Sequence, residues 1–456
     1  MTAVEDLAAF AVGCRDDGVP ALGVPGRILD ILGLCLAAAD DPAALATLRA
    51  TRRLAGTPEA TVVGFGDRLP APSAALVNGV LAHALDFDDT HLPSVLHPSA
   101  GVVPAALAAA EATGASGADL IAAATAGIEI CNRLGLAGYD PEQRNSIYFD
   151  RGLHATSICG TIGGAAAAAL LYGLGADGVA DAMGVAASMG AGLIEANRTG
   201  GLIKKAHCGW AAHAAVTAAL LAAEGLTGPP TVLEGRFGFF AAYTGGWYDE
   251  DALLGDLGTR WEVERTVFKP YPANHFTHPG IDCALALRAR GLSASDVDSI
   301  ELGVAEPVLR TIAEPAAEKA SPRSGYHGKF SGPYTVAVAL LGGGGLGVSS
   351  SDFAELNPAA VTLAQRVRCY ADPVATSLFP TAFAGVLRVR TFSGAVFEHR
   401  VDASRGSAGY PLSAAELTRK FRANAAALSD EQAAALASLT LGGGSAGDIA
   451  RLTVAA

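Results

Sequence analysis

Small residues dominate the first half of the chain and constrain its fold more than any other feature. Up to about residue 265, segments rich in alanine and leucine alternate with glycine-containing breaks, which is the pattern of helices joined by turns. Helices made of alanine and glycine, such as residues 163–171 and 211–223, present little side-chain bulk and can therefore pack closely on several sides. The pattern predicts a crowded all-α bundle.

One helix in this region carries clear start and stop signals. Ser116 can cap its first turn, Asp119 favours the positive end of the helix dipole, and Gly135 is predicted to end it. The longest charge-free run, residues 152–176, approaches membrane-spanning length. Alanine and glycine dominate that run and three hydroxyl side chains interrupt it, so we predict a buried helix and no membrane span.

The character of the sequence changes after about residue 266. Prolines punctuate the chain there, and strand-like stretches follow at residues 299–304, 366–370 and 386–390. The glycine run at 342–347 is interpreted as a turn after a helix, because no strand–turn–helix context supports a dinucleotide-binding loop. The tail, residues 413–437, returns to amphipathic helix and is predicted to rejoin the first domain.

We therefore expect a mainly α fold with two domains. With 456 residues, half of them hydrophobic, the chain is long enough to build both. The first is a large all-α helical domain formed by both chain ends, residues 1–265 and 410–456. The second is a smaller α+β lid domain, residues 266–409.

Charge and cysteine usage limit the classes of partner and compartment. The formal net charge of −13 argues against a nucleic-acid or anionic-membrane surface, whereas an anionic substrate needs only a few cations gathered in one cleft. Seven scattered cysteines without a C-x-x-C pair fit neither a disulfide framework nor a zinc knuckle. Because the N-terminus also lacks a secretory signal pattern, the predicted location is cytoplasmic.

The densest polar cluster lies at residues 83–98, between two apolar helical segments. Its three acids and three histidines suit a metal site, a general base or a buried hydrogen-bond network, and helix capping is the structural alternative for each residue. A magnesium-dependent isoprenoid synthase should show D-D-x-x-D, but residues 88–92 lack the last carboxylate. A zinc hydrolase should show histidines at i and i+4, and this spacing is absent. We predict no metal.

The same cluster resembles a family signature. Residues 78–90 (Asn-Gly-Val-Leu-Ala-His-Ala-Leu-Asp-Phe-Asp-Asp-Thr), with His97-Pro98, Pro104 and Glu111 downstream, resemble the signature of the MmgE/PrpD family. Further resemblances follow in chain order at residues 154–161, 204–209 (K-x-x-H-x-G), 269–272 (Lys-Pro-Tyr-Pro) and 329–334 (Lys-Phe-Ser-Gly-Pro-Tyr). The family includes 2-methylcitrate dehydratase, cis-aconitate decarboxylase and iminodisuccinate epimerase.

The resemblance implies a homodimeric enzyme that acts on a small carboxylate without metal, iron–sulfur cluster or organic cofactor. It also implies an active cleft between the helical domain and the lid. Carried over position by position, it assigns proton transfer and charge stabilisation to Asp86, His97, Lys204, Lys269 and Tyr334. Substrate binding is assigned to Thr90, His154 and His275.

The chemistry of this set is coherent. Removing a proton from the carbon next to a carboxylate builds negative charge on that carboxylate, so cations must lie where the charge develops. Lys204 and Lys269 can supply them, and two neighbouring ammonium groups disfavour each other's charge, which lets one lysine act as a base. His97 is the natural proton carrier, with Asp86 predicted to hold its tautomer. Tyr334 is predicted to donate to a leaving hydroxyl or an oxyanion, with a core tyrosine as the alternative.

Some assignments stay open at this point. A register error of one residue would exchange Lys204 and Lys205, and Lys204 is preferred because it keeps the spacing to His207. His83, His91 and His207 are interpreted as structural. The leading reaction is dehydration of a hydroxylated di- or tricarboxylate, in the manner of 2-methylcitrate dehydratase. Epimerisation and decarboxylation need the same groups, and a catalytically silent scaffold relative is the non-enzymatic alternative.

Overall fold

A computed structural model describes residues 1–143, 145–196, 201–407 and 409–454. The chain divides into two compact units. The first consists of Met1–Ala84, Asp88–Thr266 and Asn424–Ala456, and the second of Leu85–Phe87 and Val267–Ala423. Each unit is described by itself below.

The first unit is almost entirely helical. Its helices are α1 (Ala3–Asp16), α2 (Val24–Ala37), α3 (Pro42–Leu54), α4 (Ala71–His83), α5 (Pro98–Thr113), α6 (Gly117–Ala137), α7 (Ile147–Asp150), α8 (Ala155–Leu171), α9 (Ala176–Ala187), α10 (Ile203–Ala223), α11 (Phe239–Thr244), α12 (Glu250–Leu254), α21 (Asp430–Leu441) and α22 (Ala446–Leu452). Two antiparallel pairs, β1 (Ala60–Thr61) with β2 (Arg68–Leu69) and β4 (Tyr139–Asp140) with β5 (Asn145–Ser146), lie in loops. The short strand β3 (Thr90–His91) and a 3-10 turn (Glu262–Arg265) also belong to the first unit, and β6 (Thr266–Val267) spans its end.

Glycines set how closely the central helices of the first unit approach. A Cβ on Gly209 of α10 would lie 2.4 Å from the carbonyl oxygen of Leu76 in α4, and one on Gly79 would lie 2.7 Å from the Cα of Gly209. A Cβ on Gly163 of α8 would lie 2.3 Å from the carbonyl oxygen of Gly127 in α6. Helices with larger side chains cannot come this close. The crowded all-α bundle predicted from the small residues is therefore confirmed.

The second unit contains a four-stranded sheet covered by helices. Its strands are β7 (Val297–Val304), β8 (Val367–Ala371), β9 (Gly385–Thr391) and β10 (Val396–Val401), and its helices are α13 (His278–Ala289), α14 (Leu309–Ile312), α15 (Ala316–Ala320), α16 (Gly325–Gly328), α17 (Gly332–Leu341), α18 (Pro358–Ala364), α19 (Pro373–Leu378) and α20 (Ala414–Asn424). Four 3-10 turns lie at His275–Thr277, Ala294–Asp296, Glu306–Val308 and Ser350–Phe353.

The strands of this sheet follow the order β10-β9-β7-β8. The strand β7 pairs parallel with β8 and antiparallel with β9. Apolar side chains of β7 and β9, including Ile300, Leu302, Leu387 and Val389, form one core with α13 and α17. The three strands predicted from the sequence are confirmed, whereas β10 was not predicted.

Two boundaries differ from those predicted. Helix α6 begins at the predicted Ser116 capping box but runs on to Ala137, so Gly135 does not end it. A Cβ on Gly135 would lie 2.1 Å from Leu96 Cδ2, so this glycine serves packing inside the helix. The second unit extends to Ala423 rather than to residue 409, and Glu416 of α20 pairs with Arg405 within it. The mainly α fold class is confirmed.

Two helices of the first unit, α6 and α10, are long and apolar enough to cross a membrane by length and composition. A third candidate arises if the bent pair α2 and α3 is counted as one span. In α6, 89% of the apolar window is buried inside the fold, against 56% in α10. The charge-free run singled out in the sequence forms α8, whose residues are all buried. Packing inside the bundle accounts for the apolar composition of α6 and α8.

Candidate active site

The end of α4 carries a buried histidine–carboxylate pair. His83 is the last residue of this helix, and its Nδ1 lies 2.8 Å from Oδ2 of Asp88. Both side chains are almost fully buried, at 1% and 0% exposure. A carboxylate oxygen only accepts hydrogen bonds when ionised, so Nδ1 of His83 carries the hydrogen and donates it. The sequence interpretation of His83 as structural does not account for this arrangement, which is typical of an oriented acid–base group.

His97 lies immediately before α5 and faces the same pair. Its Nδ1 is 2.7 Å from the carbonyl oxygen of Asp89, 3.4 Å from Thr90 Oγ1 and 3.9 Å from Asp88 Oδ2. The carbonyl accepts a hydrogen bond from Nδ1, which leaves Nε2 as the atom that exchanges protons. The His83 and His97 rings are 5.5 Å apart between centroids. The predicted proton carrier is thus fixed in one tautomer by a backbone carbonyl.

Two further imidazoles adjoin this pair. His154 precedes α8 and His207 lies on α10, and their Nδ1 atoms are 3.1 Å apart. Burial, followed by the charges of His83 and Lys204, lowers the pKa of His207 to about 4. Burial and the same two neighbours hold the pKa of His154 well below its usual range. Both rings are therefore neutral at neutral pH, and one Nδ1 donates to the other.

The adjacent lysines of α10 have different surroundings. Lys205 forms an ion pair with Asp41, the residue that caps α3. Lys204 is half-buried, and its charge acts on His154 and His207. The charge of Lys204 thus acts on two of the histidines, whereas the ion pair described for Lys205 is with Asp41. The preference for Lys204 over Lys205 stays a prediction.

Asp89 holds the loop that carries these groups. Its carboxylate accepts hydrogen bonds from Arg27 Nη1 at 2.9 Å and from Ser99 Oγ at 2.6 Å. Arg27 also donates to the carbonyl oxygens of Val263 and Thr266. A buried ion pair with several further hydrogen bonds to the backbone and to a hydroxyl group holds a segment in place. We assign Asp89 to this scaffold.

Both ring nitrogens of His91 are held by other side chains of the first unit. Its Nδ1 lies 2.6 Å from Ser94 Oγ and its Nε2 lies 3.0 Å from Glu262 Oε2. Burial lowers the pKa of His91 despite the opposing effect of Glu262. Since both ring nitrogens are engaged in the fold, no nitrogen of His91 is left for exchange with a substrate.

In the second unit, three buried lysines converge on residues 85–87. Lys269 Nζ donates to the carbonyl oxygen of Asp86 at 2.9 Å, Lys329 Nζ to that of Leu85 at 2.6 Å, and Lys420 Nζ to that of Phe87 at 3.1 Å. Lys269 also lies 3.4 Å from Asp86 Oδ1. Three ammonium groups and one carboxylate leave an excess of positive charge among these four groups, which favours anions. We call this set the lysine cluster.

Asp86 itself has a strained backbone. Its φ is 55°, in the left-handed region that non-glycine residues rarely adopt. Such a conformation costs roughly 1–3 kcal/mol and persists where surrounding contacts enforce it. The contacts described for Asp86 are with Lys269, whereas Asp88 is the carboxylate 3.9 Å from His97. The predicted pairing of Asp86 with His97 remains a prediction.

Two histidines adjoin the lysine cluster. His278 is fully buried, and its Nε2 donates to the carbonyl oxygen of Ala273 at 3.1 Å. Burial and the charge of Lys269 lower the pKa of His278 to about 3, so its ring is neutral. His275, predicted to bind substrate, is 95% buried, and its ring centroid lies 4.5 Å from that of His278.

Tyr334 lies in the core of the second unit. Its side chain is fully buried on α17, its hydroxyl donates to the carbonyl oxygen of Asp352 at 3.3 Å and it accepts from the backbone N–H of Asn357 at 3.1 Å. Two backbone partners satisfy this hydroxyl, and they tie α17 to the following loop. These contacts agree with the core alternative, and the predicted role of Tyr334 as a donor to a leaving group or an oxyanion stays a prediction.

Sequence reasoning missed four members of these two clusters. They are His83 and Asp88 in the first unit and Lys329 and Lys420 in the second. Lys329 was within a motif but was given no role, and Lys420 lies on an amphipathic helix whose pattern carries no signal for a site. Among the described residues, no group of three or more histidine, cysteine or acidic side chains is arranged to hold a metal ion.

Comparison with known proteins gives the family. The profile of the MmgE/PrpD N-terminal domain matches residues 5–250, and that of the C-terminal domain matches residues 271–441. The chain is 34% identical over 378 residues to a cis-aconitate decarboxylase of Homo sapiens, covering 80% of this chain and 75% of that protein.

Two further relatives carry the same name. A cis-aconitate decarboxylase of Mus musculus is 32% identical over 377 residues, which cover 80% of this chain and 74% of that protein. One of Aspergillus terreus is 32% identical over 240 residues, half of this chain and 48% of the relative. Since the two domain profiles together match most of the sequence, the protein belongs to the MmgE/PrpD family and is an enzyme of the lyase type.

Proposed function

We propose that this protein is a carboxy-lyase that removes carbon dioxide from a small unsaturated polycarboxylate such as cis-aconitate, without a cofactor. The observation that carries the proposal is the group of four imidazoles with Lys204 in the first unit. The decarboxylase names of the relatives support this reaction over the dehydration that the sequence put first. Dehydration and epimerisation are the alternative reactions that the NMR experiment below distinguishes from decarboxylation.

The chemistry of decarboxylation requires a proton donor. The bond between a carboxylate and its carbon breaks, the electron pair stays with the substrate, and a proton from the enzyme takes up that pair. His97 suits this role because the Asp89 carbonyl fixes Nδ1–H and leaves Nε2 to deliver the proton. Thr90, 3.4 Å from the same ring, and His154 and Lys204 are proposed to hold substrate oxygens.

The lysine cluster of the second unit supports an anionic substrate. Lys269 and its two companions place an excess of positive charge around Asp86. A substrate with several carboxylates is the class of ligand that such a field attracts. We propose that Lys269 and His275 bind a carboxylate of the substrate and that Asp86 orients Lys269.

Proton NMR in deuterated water tests the reaction. Chelator-treated protein is mixed with cis-aconitate, and carbon dioxide is measured in parallel. We expect carbon dioxide release with one deuterium entering the dicarboxylate product. Appearance of an alkene from a 2-methylcitrate-like acid would assign dehydration, and α-deuterium exchange without carbon dioxide would assign epimerisation. Loss of activity on chelation, restored by magnesium, would contradict the cofactor-free mechanism.

Single substitutions test the site. His97→Ala and Lys204→Ala are expected to keep the fold, judged by circular dichroism, and to lower kcat about a hundredfold or more, as removal of a proton-transfer group does. Near wild-type rates for both variants on the true substrate would remove them from the mechanism.

The homodimer and the cytoplasmic location are further parts of the proposal. Light scattering of the purified protein and fractionation of its cells test them.

A further inference from the structure

The four imidazoles of the first unit form a row. The ring centroids of His97 and His83 are 5.5 Å apart, those of His83 and His154 are 5.7 Å apart, and those of His154 and His207 are 5.1 Å apart. His83 occupies the second place, in contact with two residues of the proposed active site. Its own role is open, because neither the fold nor the proposed reaction yet accounts for it.

Hydrogen-bond geometry identifies which atom of His83 can change its protonation. Asp88 Oδ2 accepts from Nδ1, so Nδ1 keeps its hydrogen in the neutral and the charged ring alike. Nε2 is buried and has no hydrogen-bond partner among the residues that the structure describes. Because Asp88 holds Nδ1, Nε2 is the ring nitrogen that is left to exchange a proton.

One carboxylate lies next to both His83 and His97. Asp88, with 0% exposure, lies 2.8 Å from Nδ1 of His83 and 3.9 Å from Nδ1 of His97. A buried carboxylate stabilises an adjacent imidazolium. At the other end of the row, His154 and His207 are kept neutral by burial and by the charges of His83 and Lys204. The anionic side chain of the row therefore lies at the end that His83 and His97 form.

We propose that His83, oriented by Asp88, is a proton reservoir that recharges His97 after each turnover. The inference rests on the proposed function. His97 gives its Nε2 proton to the substrate carbon as carbon dioxide leaves, the Nε2 proton of His83 then passes to His97, and a proton from water restores His83. One proton is consumed for each carboxylate lost, and no other reactant is needed. Asp88 is a positioning residue in this scheme.

His83→Asn separates the two functions of the ring. The asparagine Nδ2 can replace the Nδ1–H that Asp88 accepts, but the variant has nothing in place of Nε2. If His83 serves as the reservoir, kcat falls tenfold or more while KM stays within about threefold. His213→Asn is the matched control. This histidine lies on α10, where its Nδ1 contacts the Pro72 carbonyl at 2.9 Å, and its replacement should leave both constants unchanged.

Asp88→Asn supplies a readout that a purely structural role would not move. The amide oxygen can still accept from His83, but the negative charge is gone. The imidazolium loses its neighbouring anion, so the alkaline limb of the kcat profile moves to lower pH by about one unit. Wild-type kcat in His83→Asn, or an unshifted profile in Asp88→Asn, overturns the proposal.

Imidazole nitrogen NMR on the wild-type protein measures which nitrogen of His83 exchanges its proton, without substrate or turnover. With ¹⁵N-labelled histidine, and His83 assigned by its absence in His83→Asn or His83→Gln, Nδ1 should remain protonated across the pH range while Nε2 alone titrates. A His83 ring that deprotonates at Nδ1 overturns the reservoir. Failure of the protein to decarboxylate cis-aconitate would instead overturn the proposed function, because the NMR result is independent of it.

Discussion

Replacing Gly209 with alanine should destabilise the first unit although it improves helix propensity. The new Cβ would lie 2.4 Å from the Leu76 carbonyl oxygen, 2.5 Å from Val80 Cγ2 and 3.0 Å from the Val80 nitrogen. Two of these atoms are backbone, so no rotamer change relieves the contact. Ordinary contact begins near 3.4 Å, and α4 and α10 must therefore separate by about 1 Å.

The magnitude follows from two opposing terms. Overpacking of a closely packed contact costs about 1–3 kcal/mol, whereas alanine in place of glycine inside a helix contributes about 1 kcal/mol. Because two of the contacts are with backbone atoms, the cost should lie in the upper part of that range, and the net loss in the free energy of unfolding should be about 1–2 kcal/mol. Activity should fall as well, because α4 ends at His83 and α10 carries Lys204 and His207.

Gly160→Ala is the matched control. Gly160 lies inside α8, and its Cβ would meet only Ala211 Cβ, at 3.9 Å, which is ordinary contact. Propensity then acts alone, and this variant should be stabilised by up to about 1 kcal/mol. Urea denaturation followed by circular dichroism measures both variants. The packing argument is refuted if Gly209→Ala matches the wild-type midpoint, or if Gly160→Ala loses as much stability as Gly209→Ala does.

Two more predictions follow from the same unit. Lys204→Met should remove most turnover and leave the denaturation midpoint near that of the wild type. Lys205→Met should keep the proposed activity but lower the stability, because Asp41 loses its ion-pair partner. The opposite result in both assays would exchange the roles assigned to the two lysines. Acid should destabilise the fold between pH 6.5 and about 4, because the pKa of His207 is lowered to about 4 and the unfolded chain binds more protons in that window. His207→Asn should flatten that part of the stability curve, and an unchanged slope between pH 7 and pH 4 would contradict it.

The sequence predicted those features that depend on local pattern. Alanine and glycine along helices indicated close packing, and alternating apolar residues gave β7, β8 and β9. The predicted end of α6 was wrong, because a glycine needed for close packing and a glycine that ends a helix cannot be distinguished in the sequence. Gly135 contacts Leu96, while Gly138 follows the last turn.

The sequence predicted individual residues of the site but not which of them contact each other. Asp86 and Asp88 are two residues apart, and a left-handed residue between helix and strand removes any periodicity that would separate their roles. Asp88 serves the imidazoles, while Asp86 contacts Lys269. Lys329 and Lys420 reach neighbouring carbonyls from distant parts of the chain, and such convergence leaves no trace in spacing.

The first unit is built from three separate pieces of the chain, which delays its folding until the last piece has been made. Helix α6 begins at Gly117 against the backbone of Gly443, where an added Cβ would lie 1.8 Å from the carbonyl oxygen, and Gly64 donates to the carbonyl oxygen of Thr453. These contacts join segments that leave the ribosome more than three hundred residues apart. Contacts of such separation form late and slow the search for the native state. A growing chain must therefore hold an unfinished helical bundle, with apolar helices such as α6 and α8 still incompletely covered, while Val267–Ala423 is synthesised. We therefore expect the growing chain to be prone to aggregation until the last piece of the first unit has been synthesised.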